Sequence, residues 1–92
     1  MNEDYQFKII QGTFTPPEAL KIIMDMINSK ILYHNVEMFS SNIRFGKPSE
    51  FSKMRLEELN TISRILNEKM AEAGRMGKRL KVDGVINISL ID

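Results

Sequence analysis

Apolar and polar residues alternate at both ends of the chain, with the two-residue period of a half-buried β-strand. The first alternating segment predicts a strand over residues 5–11, which Gly12 ends. The second predicts a strand over residues 79–91. Its apolar positions of shared parity are Leu80, Val82, Ile86, Ile88 and Leu90.

Between these segments the apolar residues recur every three to four positions, which is typical of helices. The first helix is predicted over residues 16–39. Thr15 and Glu18 have the spacing of a capping box, in which each side chain accepts a hydrogen bond from the other residue's backbone amide. Pro16 suits the first helical position, where its missing amide proton has no helical partner.

The second helix is predicted over residues 49–76, after a polar connection over residues 40–48 that contains Gly46 and Pro48. Ser49 is its predicted N-cap. Glycines near residue 76 are expected to close its end.

This order of elements predicts an α+β fold of β-α-α-β type. Two helices joined by a short connection pack as an antiparallel hairpin, so the two strands run in opposite directions and pair as a ribbon. Asp83-Gly84 is also a hairpin signal. A turn there would place Lys81 on the face of Ile86, so one long strand, bulged at Gly84, is the preferred interpretation. A single domain over residues 1–92 is expected, with the sheet completed by dimerisation.

The composition is that of a folded domain and excludes several classes of protein. Of the 92 residues, 42% are hydrophobic and 27% are charged, with a formal net charge of +1. Without cysteine, the chain has neither disulfides nor a thiolate metal site, and we expect no cofactor or metal. An acidic start and the absence of a run of about 18 apolar residues predict a soluble, cytoplasmic protein that does not bind membranes.

The first helix has apolar residues on two opposite sides. One stripe is predicted to face the second helix: Leu20, Ile23, Met24, Ile27, Ile31, His34 and Met38 against Leu59, Ile62, Leu66, Met70 and Ala73. The opposite side carries the candidate oligomer interface: Ile22, Met26, Leu32, Tyr33 and Val36. One short chain has too little material to cover both sides, and a two-stranded ribbon has open edges. A homodimer or higher oligomer is therefore predicted. The alternative is that Leu32 and Val36 lie under the connection and the other side chains are scattered over the surface.

His34 is the only histidine and lies on the stripe that faces the second helix. Antiparallel pairing is expected to place Arg55 opposite it and Ser52 one turn away. Such a polar layer anchors the connection through hydrogen bonds. Alternatively, His34, Ser52 and Arg55 bind an anion together with Arg44 and the N-terminus of the second helix.

A basic cluster follows the second helix, formed by Arg75, Lys78, Arg79 and Lys81. Cations are favoured at a helix C-terminus by the helix dipole, which accounts for most of this cluster. Binding of a phosphate backbone is the alternative. The other basic group, around Arg44, lies roughly 40 Å away along the helix, so the monomer lacks a continuous basic stripe.

One resemblance rests on Thr15-Pro16-Pro17-Glu18-Ala19, Lys30-Ile31, His34, Ser40 and Arg44-Phe45-Gly46. With these residues the chain resembles small uncharacterised bacterial proteins of similar length and element order. The resemblance implies no activity, cofactor or substrate.

The function that the residues favour is a non-enzymatic homo-oligomeric assembly or protein-interaction module. No catalytic residue is assigned, because a single histidine and no cysteine leave few reactive side chains. Two alternatives stay open: a small anion- or nucleotide-responsive binding protein, and a nucleic-acid accessory protein.

Overall fold

The computed structural model describes residues 3–92 and contains four elements. They are β1 (Asp4–Phe14), α1 (Pro16–Phe45), α2 (Glu50–Arg75) and β2 (Leu80–Ser89). The strands form a two-stranded antiparallel sheet, so the predicted β-α-α-β order and α+β class are confirmed.

The two strands pair along their whole length. Phe14 lies opposite Leu80 and Tyr5 lies opposite Ile88, so β2 is continuous and no hairpin forms at Asp83-Gly84. The register shifts between Lys8 and Ile10, which leaves Ile9 as the extra residue.

The predicted bulge at Gly84 is wrong, because the extra residue lies on the facing strand, β1. Gly84 lies opposite Ile10, and a Cβ at Gly84 would be only 3.2 Å from the Ile10 side chain. This glycine therefore permits a close approach of the two strands.

The start of α1 has the predicted capping box. The Glu18 amide donates to Thr15 Oγ1 at 3.4 Å, and the Thr15 amide donates to Glu18 Oε1 at 2.9 Å. The amide and the hydroxyl of Thr15 both donate to Glu18 Oε1, which favours the carboxylate form and lowers the pKa of Glu18.

The end of α1 lies six residues beyond the predicted one, at Phe45 instead of residue 39. Serine and asparagine are only mildly unfavourable in a helix, so the polar residues 40–42 do not end it. Gly46 ends it, with a left-handed φ of 74° and an amide that donates to the Asn42 carbonyl at 2.9 Å. The Ser41 hydroxyl donates to the Lys47 carbonyl at 3.0 Å, so the connection turns back along the last turns of α1.

The ends of α2 differ from the predicted bounds by one residue each, because Ser49 and Met76 are its caps. The Ser49 hydroxyl accepts from the Ser52 amide at 3.3 Å. At the other end the Lys78 amide donates to the Ala73 carbonyl at 3.0 Å.

The apolar core is small and lies mainly between the helices. Among the described residues the buried apolar side chains are Ala19, Ile27, Leu59 and Met70. Of the stripe predicted on α2, Leu59 lines a space with Ile27, whereas Ile62 is exposed. Ile10 and Val82 of the ribbon line the same space.

The molecule is flat and extended. Its Cα radius of gyration is 16.7 Å, whereas a compact domain of this length has about 12 Å. Its principal extents are 50 × 36 × 14 Å. A thickness of 14 Å corresponds to two layers, the helical hairpin and the ribbon.

Two glycine substitutions test the end of α1. Gly46→Ala should lower the free energy of unfolding by about 1 kcal/mol, because alanine is strained at the positive φ of this residue. Gly74→Ala is the matched control in the last turns of α2, where nothing lies near the added methyl group. It should raise stability by about 0.5–1 kcal/mol. Urea unfolding at one fixed protein concentration measures both, and equal effects of the two substitutions would contradict the cap assignment.

Candidate functional site

The buried polar pair His34 and Ser52 lies between the helices. His34 is 1% exposed and Ser52 is 2% exposed. His34 Nδ1 is 3.0 Å from Ser52 Oγ. Ser52 belongs to the first turn of α2, where its amide donates to the N-cap Ser49, so the pair ties the middle of α1 to the beginning of α2.

Ser52, and not Arg55, is therefore the residue opposite His34, which corrects the predicted register. The reason lies in the end of α1. The connection turns back along the last turns of α1, so α2 begins at the level of residue 36, and the C-terminal end of α1 extends past it. A heptad-like seam results, in which Ile27 and Leu59 are packed one level below His34 and Ser52.

Aromatic rings enclose the imidazole of His34. The Tyr33 ring is edge-on at a centroid distance of 5.2 Å, and the Phe51 ring is edge-on at 6.1 Å. His34 Nε2 is buried and has no hydrogen-bond partner among the described residues. Such an environment favours the neutral imidazole.

Burial lowers the pKa of His34 below its usual value of 6.5, and the positive charges of Lys30 and Arg55 lower it further. The Glu37 carboxylate acts in the opposite direction and raises this pKa. The imidazole is consequently a neutral hydrogen-bonding group near neutral pH.

The four residues of the predicted anion site are only partly brought together. His34 and Ser52 are in contact, and Arg55 forms an ion pair with Glu58 on its own helix. Arg44 is exposed in the last turn of α1, ten residues and about 15 Å along the helix from His34. The anion site stays a prediction, since Arg44 lies far from the buried pair and Arg55, one turn after Ser52, is paired with Glu58.

The predicted basic cluster lies at the opposite end of the hairpin from the connection. Arg75 ends α2, Lys78 and Arg79 belong to the connection to β2, and Lys81 lies on β2. All four side chains belong to exposed residues. Their place at a helix C-terminus is one where the helix dipole favours cations.

The candidate interface residues divide into two groups. Leu32, Tyr33 and Val36 are exposed on the side of α1 away from the ribbon, and Lys30 Nζ lies 4.7 Å from the centre of the Tyr33 ring. Ile22 is half-buried and lines a groove with Phe14. Met26 lies beside the ribbon and is 42% exposed.

Sequence reasoning missed the apolar residues at the end of α1. Phe39 had been placed at the helix end, and Ile43 and Phe45 were assigned to the connection, yet all three are exposed on α1. The missed signal is the spacing of Leu32, Val36, Phe39 and Ile43, which continues a helical repeat past residue 39.

Two further observations concern metals and membranes. Over residues 3–92, no three His, Cys, Asp or Glu side chains are grouped so that they can hold a metal ion. In the same part of the chain, no helix combines the length and the apolar character needed to cross a membrane.

Comparison with known proteins finds no matching family model, no matching curated sequence and no matching solved structure.

The pKa of His34 predicts how stability depends on pH. Because this pKa is lowered in the folded protein, the unfolded chain takes up a proton first as the pH falls below about 6.5. The neutral imidazole therefore makes its full contribution to the free energy of unfolding above pH 6.5. As the pH falls from 6.5 to the pKa of His34 in the folded protein, the free energy of unfolding decreases. Urea unfolding between pH 5 and pH 7.5 measures this slope.

The matched variant for this measurement is His34→Gln, which keeps a neutral polar side chain without the titrating group. Its unfolding free energy should vary less between pH 5 and pH 7.5 than that of the unchanged protein. Since His34 is the only histidine, an equal slope in both proteins would show that the imidazole is not buried in the neutral form.

Proposed function

We propose that this chain is a homo-oligomeric assembly or protein-interaction module that works by association and not by catalysis. The observation that carries the proposal is its exposed surface. The accessible surface of the single chain is 7233 Å², whereas a compact monomer of 10.6 kDa has about 5,500 Å². The excess, roughly 1,800 Å², is larger than the area that each partner of a standard-size interface buries, about 800 Å².

The excess surface is rich in large apolar side chains. One face of the ribbon packs on α1 near Ile10. Farther along the same face lie four exposed apolar residues: Tyr5, Phe7, Ile86 and Ile88. At the other end of the molecule, Phe39, Ile43, Phe45 and Phe51 are exposed around the connection. Isolated apolar side chains are common on protein surfaces, but extended patches of this kind mark surfaces of association.

The shape of the chain supports the same proposal. An isolated two-stranded ribbon is only marginally stable in water, because both of its edges lack hydrogen-bond partners and no other element buries its faces. In this chain the helices do not cover the part of the ribbon that contains Tyr5, Phe7, Ile86 and Ile88. These apolar side chains are exposed, although they lie on the same face as Ile10. Association with a second copy supplies the missing cover, and a twofold dimer is the simplest arrangement. The proposal retains the cytoplasmic location expected from the sequence.

The molar mass in solution tests this proposal. Size-exclusion chromatography with light scattering, at micromolar concentration, should give twice the chain mass of 10.6 kDa or a higher multiple. The mass should persist in high salt, because apolar association is screened far less than contacts between surface charges. A stable species of 10.6 kDa that neither aggregates nor binds a hydrophobic dye would contradict the proposal.

A further inference from the structure

A row of four exposed apolar side chains runs along α1, which we name the back stripe: Leu32, Val36, Phe39 and Ile43. Their exposed fractions are 64%, 54%, 68% and 69%. The residues follow one another at intervals of four, three and four, which is the spacing of a coiled-coil seam. The side chains therefore form one continuous ridge of about three turns.

The back stripe lies on the side of α1 opposite its contact with α2. Val36 is nine residues from Ile27, which at 100° per residue places them on opposite sides of the helix. Ile27 is buried toward α2, and the ribbon approaches α1 near Ile23 and Met26. Neither α2 nor the ribbon covers the back stripe, as its exposure shows.

The spacing of the back stripe is the same in both directions. When a second copy of α1 is placed antiparallel, Leu32 of one copy faces Ile43 of the other, and Val36 faces Phe39. A twofold interface requires a patch that is complementary to itself, and a palindromic row of apolar residues meets this requirement. Each of the four side chains then has an apolar partner.

The helix dipoles favour the antiparallel arrangement. Glu37 is the only charged residue between Ile31 and Ile43, and it lies about a quarter of a turn away from Val36. Antiparallel packing aligns the helix dipoles favourably, whereas parallel packing sets like ends of the dipoles together.

We propose that the back stripe is the interface with a second copy of this chain, packed as an antiparallel α1–α1 pair whose twofold axis passes between Val36 and Phe39. This inference rests on the proposed function, because it specifies the surface through which the assembly forms. The excess area of roughly 1,800 Å² is large enough for this contact and for additional contacts of the ribbon.

A cross-linking experiment tests the position of the axis, since the chain has no cysteine of its own. In the Val36→Cys variant the two thiols of a dimer should lie close to the axis, and a short bifunctional maleimide should join most chains into covalent dimers. Glu57→Cys is the matched control, because Glu57 is also exposed on a helix but lies on α2. It should give no covalent dimer under the same conditions.

Light scattering of the same variants separates the two proposals. A dimer mass with cross-linking at residue 36 and none at residue 57 supports both. A dimer mass without cross-linking at residue 36 overturns the α1–α1 interface and leaves the proposed function intact. A stable chain mass of 10.6 kDa for the unchanged protein, with neither aggregation nor binding of a hydrophobic dye, overturns both.

The second measurement is the dimer dissociation constant of a variant that carries a charge near the twofold axis. Val36→Glu should raise the dimer dissociation constant by about a hundredfold, because two carboxylates would be buried next to each other. Since Val36 is exposed in the single chain, the helical circular dichroism should persist, apart from the signal of the last turns of α1, at concentrations where the variant is monomeric. Thr61→Glu, an exposed position of α2, is the control and should leave the dissociation constant unchanged. Equal dissociation constants for Val36→Glu and the unchanged protein would place the interface elsewhere.

Discussion

The rest of the structure depends on one constraint: α1 is longer than the stretch of it that α2 and the ribbon cover. Its 30 residues form a rod of about 45 Å, whereas ten residues of β2 span about 33 Å. The ribbon approaches α1 near Ile23 and Met26, and α2 begins only at the level of residue 36. This helix is thus covered along about its first two thirds and left bare along the last third. The small core and the flat shape both follow from this mismatch.

The His34–Ser52 pair determines where the covered part of α1 ends. A hydrogen-bonded polar pair within a largely apolar seam favours one register, since sliding the helices by a turn would bury both groups without partners. The hydroxyl of Ser49 caps α2 directly beside this pair, so the beginning of α2 and the middle of α1 are positioned together. Register, and with it the length of α1 that extends beyond α2, is therefore determined by a few polar atoms in the seam.

Local chemistry made much of this fold predictable, and longer-range geometry accounts for the errors. Thr15, Pro16 and Glu18 define the start of α1 through contacts within one turn, and strand parity identifies the apolar face of β2. The end of α1 was misplaced because Ser40 and Ser41 are polar without stopping a helix, while Gly46 stops it through a backbone conformation that composition does not show. The residue that contacts His34 depends on where α1 ends. Because that end was misplaced, the sequence could not identify Ser52 as the partner of His34.

The end of α1 beyond residue 36 is difficult to explain in a single chain. These nine or so residues, about two and a half turns, continue α1 with little packing against other elements, although most helical stability in proteins comes from tertiary packing. Apolar residues such as Phe39 and Ile43 contribute little to helix propensity and gain stability mainly through burial. In an antiparallel α1–α1 pair, the extended end of each copy packs along the middle of the other, between Leu32 and Val36. The same contact that covers the back stripe would then also hold the last turns of α1 in helical form.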